Sequence, residues 1–154
     1  MSMSTDPSTL FDGFNFLVEI EGVTVTAFAE CSLPSITIES AEYREGSDIV
    51  TNVHDVPGLV KYGDLTLKRG LAHSANTTAI FDWINQFAQG SGTRRNVIVR
   101  LLDSQRNPAI TWSFTNCWPT KWEAPALNAK TSSIAIETLV VSVDSVSMAT
   151  GAST

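Results

Sequence analysis

The side chains that could do chemistry are few and scattered. Two histidines, His54 and His73, and two cysteines, Cys31 and Cys117, are the obvious soft ligands. A structural zinc site uses four such ligands in closely spaced pairs, and positions 31, 54, 73 and 117 contain no such pair. Asp12, Glu19 and Glu21 offer carboxylates for acid–base work, but Glu19 and Glu21 lie two residues apart and so share the solvent face of one strand. No GxSxG elbow, Walker loop or GxGxxG turn is present. The residues thus imply a chain that is not an enzyme and needs no cofactor or metal. The two cysteines read most simply as small buried apolar residues in a reducing compartment, with a disulfide or a reactive thiol as the alternatives.

With no catalytic constellation to position, the elements must serve another purpose. A chain of 154 residues that is 43% hydrophobic can bury one sizeable core, so residues 1–154 read as a single domain. The opening MSMSTDPST has no basic stretch followed by an apolar run, and no segment approaches the roughly 20 apolar residues of a membrane helix. The expectation is a protein made in the cytoplasm and without stable membrane anchoring. The net charge of −6 argues against nucleic-acid binding as the main task. Its distribution is uneven. Residues 1–43 carry seven acids and no base, whereas residues 61–130 carry nine of the ten bases and four acids. If folding keeps these segments apart, copies can meet head to tail; if it interleaves them, the surface is mixed.

The hydrophobic period is mostly two. Phe14, Phe16, Val18 and Ile20 share one face, and after Glu21-Gly22 the run Val23, Val25, Ala27 and Ala29 shares another, which predicts a hairpin. Ile36 and Ile38 are expected to face inward on a third strand. In VPGLVKYGDLTLKRG, Leu65, Leu67 and Arg69 fall on one side of a strand, with Asp64, Thr66 and Lys68 on the other. Further strands are expected over Asn96–Asp103 and Ala109–Trp118, the latter with Ile110, Trp112, Phe114 and Trp118 aligned, followed by a proline-rich loop. The final strand changes phase between Ile134 and Ile136 and Leu139, Val141 and Val143, which predicts a bulge near Glu137-Thr138. One helix is expected over about 76–89. It presents Ile80, Ile84, Phe87 and Ala88 on one stripe, with Ser74 or Asn76 as its cap and Gly90 just past its end.

These elements predict an α+β fold dominated by antiparallel β: two packed sheets forming a sandwich or partly closed barrel, with one flanking helix. Outside it lie an N-terminal arm over 1–13, an extended loop over 44–58 and a flexible tail over 147–154. The extended loop has no sustained alternation, and structureless segments of that length are usually functional or partner-bound. Few lysines or prolines guard the sheet edges, which favours pairing with another copy.

The blocks FNFLVEIEG, FAECS, EYREG, PGLVKYGDLTLKRG, RRNVIVRLLD, WSFTNCWPTKW and LNAKTSSIAIETL, in that order, resemble the inner tail-tube proteins of contractile phage tails and phage-tail-like injection particles. The resemblance implies a two-sheet protomer, six copies to a ring, and rings stacked into a hollow tube that is driven through a target envelope and conducts DNA or effector cargo. It implies a virion or a released or anchored particle. The implied partners are further copies of the chain, a sheath, a baseplate and spike, and a tube terminator. The ring protein of type VI secretion has a similar fold, so an effector-carrying ring is the alternative, with a monomeric β-sandwich binding module as a third.

On this resemblance, ring stacking is expected at Arg44, Glu45, Asp48, Ile49, Val50, Val53 and Asp55 in the extended loop, because the corresponding region of relatives reaches the neighbouring ring. Lys68 and Arg69 are expected to meet acids on an adjacent copy. Glu19, Glu21, Thr24 and Thr26 are expected to face the lumen, where an acidic and polar wall would let anionic DNA pass without sticking.

Overall fold

The computed structural model describes residues 15–23, 28–43, 54–71, 78–130 and 134–151. Thr24, Thr26, residues 44–53, His73 and the N-terminal arm lie outside them. Among the described residues nine strands and one helix follow in the order β1 (Asn15–Ile20), β2 (Glu30–Ser32), β3 (Ile36–Tyr43), β4 (His54–Tyr62), β5 (Asp64–Gly70), α1 (Ala79–Ala88), β6 (Arg95–Leu102), β7 (Pro108–Glu123), β8 (Ile136–Ser142) and β9 (Ser145–Thr150). All pairings are antiparallel.

The architecture follows from one bent ribbon. β8 pairs with the C-terminal part of β7 from Trp118 to Glu123, and β9 pairs with its N-terminal part from Ile110 to Thr115. The bend lies between these parts, where Asn116 takes a positive φ of 50° and the Asp144 amide donates to the Thr115 carbonyl. Asparagine tolerates that left-handed geometry better than most residues. From the bend the layers diverge: β6 and β1 extend one layer beyond β7, and β5 and β2 extend the other beyond β8. The result is a sandwich that does not close into a barrel.

Alternation then dictates the core. Val18, Ile20, Val97, Val99 and Phe114 face Leu65, Leu67, Leu139 and Val141 across the layers, with Cys117 at the bend. The helix covers one flank with Ile80 and Trp83 buried and Ile84 and Phe87 half-buried, while Ala88 is exposed. Trp83 is the most useful addition to the expected stripe: its ring is buried and its Nε1 donates to the Thr93 carbonyl at 3.0 Å. Gly90, at φ 83°, ends the helix as expected, its amide donating to the Phe87 carbonyl and that of Ser91 to the Gln86 carbonyl. That is the two-bond C-terminal stop that a left-handed glycine permits.

Four expectations are corrected. The strand over 109–118 runs on to Glu123, through Pro119, because this part of β7 has β8 on one side and an open edge on the other, where a missing amide costs nothing. Past the Asn116 bend Trp118 turns outward, so it does not continue the Phe114 face. No bulge occurs at Glu137-Thr138: β8 pairs with β5 without interruption, and Glu137 points into the core in phase with Leu139, Val141 and Val143. Residues 147–150 belong to β9 rather than to a tail.

Of the hairpin expected after β1, the turn is described, with Val23 bridging back to Ile20, and residues 24–27 lie outside the described residues; β1 pairs with β6, and β2 pairs with β5 in the other layer. The largest departure concerns β3 and β4, which form a separate two-stranded sheet. Ile36 and Ile38, expected inward, are 55% and 58% exposed. A hairpin of two strands has no layer of its own to face, so period two alone does not make a side chain buried.

Candidate assembly surfaces

Among the described residues three surfaces are unfinished: the strand edges, the projecting hairpin, and a cleft between the layers. The edges are β1 and β9 in one layer, and the three-residue β2 and the stretch of β7 beyond the bend in the other. Each exposes backbone donors and acceptors that invite another strand.

The hairpin continues the β2–β5 edge outward. Ser35 accepts from the Gly63 amide through its carbonyl, and from there β3 and β4 pair from Ile36↔Tyr62 to Tyr43↔His54. Its register shifts between Ile38 and Ser40, opposite Gly58, where a Cβ would sit 2.8 Å from the Glu39 carbonyl oxygen. Only glycine fits that approach. Before the shift one face carries Ile36, Ile38 and Val60, half or more exposed, and the other carries the Lys61–Glu39 ion pair at 2.5 Å. Towards the tip Glu42 sits directly opposite Asp55. Like charges in opposed positions destabilise a hairpin unless a cation reaches them.

The cleft opens between the layers. Phe16, Val99, Leu101 and Trp112 line one wall and Cys31 and Leu33 the other, around about 390 Å³. Glu30 and Ala29 complete its rim. Half-burial pushes the Cys31 thiol up to about 11; deeper burial, with Asp144 adding to it and a backbone hydrogen bond at Val97 opposing it, does the same for Cys117. Both are free thiols. A thiol so protonated reacts slowly near neutrality. Maleimide labelling of Cys31 is therefore expected to accelerate about tenfold per unit between pH 7 and 9, with Cys117 protected throughout. Rapid, pH-independent labelling of Cys31, followed by mass spectrometry, would contradict this.

Folding interleaves much of the charge that the sequence segregates. Lys61–Glu39, Lys68–Glu30 and Arg100–Glu19 each join the acidic N-terminal segment to the basic middle one. Among the described residues Arg94, Arg95, Arg106 and Lys130 make no ion pair; Arg95 donates to the Glu21 carbonyl, and Arg94 lies 6.0 Å from the Trp118 ring centroid. Of the expected intersubunit cations, Lys68 stays accessible, held loosely by Glu30 at 3.8 Å. Arg69 is corrected. It is 3% exposed and its Nε donates to Glu137 of the same chain, so it has no face to offer a neighbour. Trp122 Nε1 donates to the other Glu137 oxygen at 3.0 Å.

Glu19 is outward on β1 and paired with Arg100 at 2.6 Å; Glu21, in the turn, accepts from the Asn96 amide. Of the loop residues expected to stack rings, Asp55 is exposed on β4, and Arg44, Glu45, Asp48, Ile49, Val50 and Val53 lie outside the described residues. Among the described residues no group of acids, histidines and cysteines is placed to hold a metal. The exposed hairpin face escaped sequence reasoning because its alternation imitates a core strand.

The family model of the T4-like virus tail tube protein gp19 matches residues 12–147. Comparison with curated proteins gives no match. Among solved structures, the tube-terminating cap of the anti-feeding prophage is similar at 22% identity and a TM-score of 0.80, covering 97% of this chain and 95% of that one. A chain of the sheath–tube complex of an extracellular contractile injection system, PVC, in its extended state is similar at 24% identity and 0.79, covering 97% and 99%. A type six secretion system protein is more distant, at 8% identity and 0.58 over 88% and 83%.

Proposed function

The chain belongs to the T4-like virus tail tube protein family and is a tube subunit of the contractile injection type, and we propose that its copies close into six-membered rings that stack into a rigid hollow conduit. The family match over 12–147 carries this reading. The open edges support it physically: a sandwich whose layers end in unpaired strands gains main-chain hydrogen bonds from every neighbour, and many modest contacts in a closed array give a stiff whole.

The role is structural, with no catalytic step. Partners of the kinds named for the similar structures follow: a sheath around the tube, a baseplate at one end and a cap or terminator at the other. Assembly takes place in the bacterial cytoplasm, and DNA or effector proteins pass through the lumen. Glu19, Glu21, Thr24 and Thr26 line that lumen. The Arg100 partner of Glu19 makes the wall more nearly neutral than the acids alone would. Lys68 lies where a neighbouring acid can displace Glu30.

Purified protein is expected to form rings or tubes visible by negative-stain electron microscopy. A species that sediments as a monomer at high concentration and low salt, with no rings, would sink this reading and favour a binding module.

A further inference from the structure

A closed ring of one kind of chain needs two different edges that fit each other, because each copy meets the neighbour before it and the neighbour after it through different surfaces. The layer of β1, β6, β7 and β9 has such edges. Its outermost strands, β1 and β9, are six residues each, and β9 carries no charge or proline that would guard it. Successive strands of this layer alternate in direction, so β9 of one copy runs antiparallel to β1 of the next when the layer is continued. The other layer lacks matching edges. β2 is only three residues long and leads into the hairpin. The far stretch of β7 carries Pro119 and is flanked by α1, with ring centroids 5.0 Å apart for Phe81 and Trp122 and 6.3 Å apart for Phe87 and Trp118.

Alternation narrows the register. Val18, Val99, Trp112 and Met148 are direct cross-strand partners and so share the core side of the layer. Val18 and Val99 are 8% and 2% exposed, whereas Met148, at the end of the row, is 62% exposed. A slip of one residue would set Met148 against the solvent side of β1, so its partner must be Phe16, Val18 or Ile20. Val23 already bridges to Ile20, which leaves residues 15–19 as the open part of that edge among the described residues. We propose that residues 145–149 of one copy pair antiparallel with residues 15–19 of the next, with Met148 opposite Phe16, Val146 opposite Val18 and Ser147 opposite Leu17. The proposal rests on the tube reading and deepens it by naming the two edges and their register. Met148 then gains an aromatic neighbour for its thioether, and Glu19 faces the Ser145 hydroxyl rather than another acid. A foreign strand could extend either edge alone. Only a second copy offers both edges a partner of matching length and opposite direction.

Leu17→Cys with Ser147→Cys, in a Cys31→Ser background, is tested in assembled protein by mild oxidation and non-reducing gels. Directly opposed residues on paired strands have Cα atoms about 4.5–5.5 Å apart, close enough for a disulfide. Within one copy the two positions lie on opposite edges of the layer, roughly 14 Å apart, and cannot join. A ladder of dimers, trimers and higher species that collapses on reduction is the expected result. Assembled protein without that ladder overturns the proposal and leaves the tube reading standing. A ladder from Glu19→Cys with Ser147→Cys in its place overturns the register and the proposal with it. If the unmodified chain never assembles, the tube reading itself fails and the proposal falls with it. Should the cysteines block assembly, Asn15→Cys with Ala149→Cys reads the same register. Independently, Met148→Lys should raise the concentration needed for assembly on the order of tenfold or more. The melting temperature of the protomer should not change, because Met148 is already exposed there. Assembly of this variant at the parent concentration would contradict the proposal.

Discussion

Glu137→Ala is expected to destabilise the protomer by about 3–5 kcal/mol, more than any other single truncation of a polar side chain here. The carboxylate is 2% exposed and is held by Arg69 through one oxygen and by Trp122 Nε1 through the other. Removing it deletes the carboxylate to which Arg69 and Trp122 both donate, where Arg69 is 3% exposed, and breaking a buried ion pair by deleting one partner costs far more than the pair was contributing. A domain of this size melts roughly 2–4 °C lower per kcal/mol, so thermal denaturation followed by circular dichroism should drop by roughly 10 °C or more. The double change Arg69→Met with Glu137→Leu separates charge from packing. It should recover most of the loss, since well-packed apolar side chains replace a buried ion pair at little or no cost. A Glu137→Ala protein within about 1 kcal/mol of the parent would mean that the Arg69 guanidinium is satisfied without Glu137 and that the pair is not a core feature.

The same ion pair explains where the sequence was and was not legible. Alternation correctly put Arg69 on the Leu65–Leu67 side of β5. What alternation cannot say is which partner awaits a charge, because register between strands distant in sequence is set by packing. Arg69↔Glu137 is a cross-strand pair between β5 and β8. Read alone, Arg69 was a cation at a strand end and Glu137 a polar break in an apolar run. The first is therefore expected at an intersubunit contact and the second at a bulge, whereas the chain crosses between layers at Val143-Asp144, between β8 and β9.

The core and the helix were legible for the opposite reason. Val97, Val99, Leu65, Leu67, Leu139 and Val141 have an opposing layer to bury them, and local alternation carries that information. The Gly90 stop is local too. The hairpin was misjudged because burial depends on a partner. Ile36 and Ile38 alternate as core residues do, yet what could cover them does not belong to the same protomer's described residues. Charge segregation along the chain left two outcomes open, and folding takes the mixed one. The acidic segment and the basic segment are adjacent strands in space, as Glu19–Arg100 and Glu30–Lys68 demonstrate, so a dipole along the chain became a mixed surface.

Shortening Ser47–Val53 to a Gly-Ser turn is expected to leave the protomer folded and abolish tubes. β3 and β4 are paired out to Tyr43↔His54, so the strands on either side are already adjacent and a short connection can join them. The core of the described residues is built between the two layers of the sandwich and the helix, away from β3 and β4, so the melting temperature should stay within a few degrees of the parent. The segment carries Ile49, Val50 and Val53 with Glu45, Asp48 and Arg44. Ordering it costs about 1–2 kcal/mol of backbone entropy per residue, which a partner's surface must offset. The Glu42–Asp55 acid pair at its base adds a reason for a cation from another copy to settle there. Ring stacking is the contact that meets both demands, and losing it should leave rings or small oligomers by electron microscopy where the parent gives long tubes. If the shortened protein still polymerises into tubes of normal length and stiffness, the loop is not the stacking element, and the search moves to the N-terminal arm between Ser4 and Gly13.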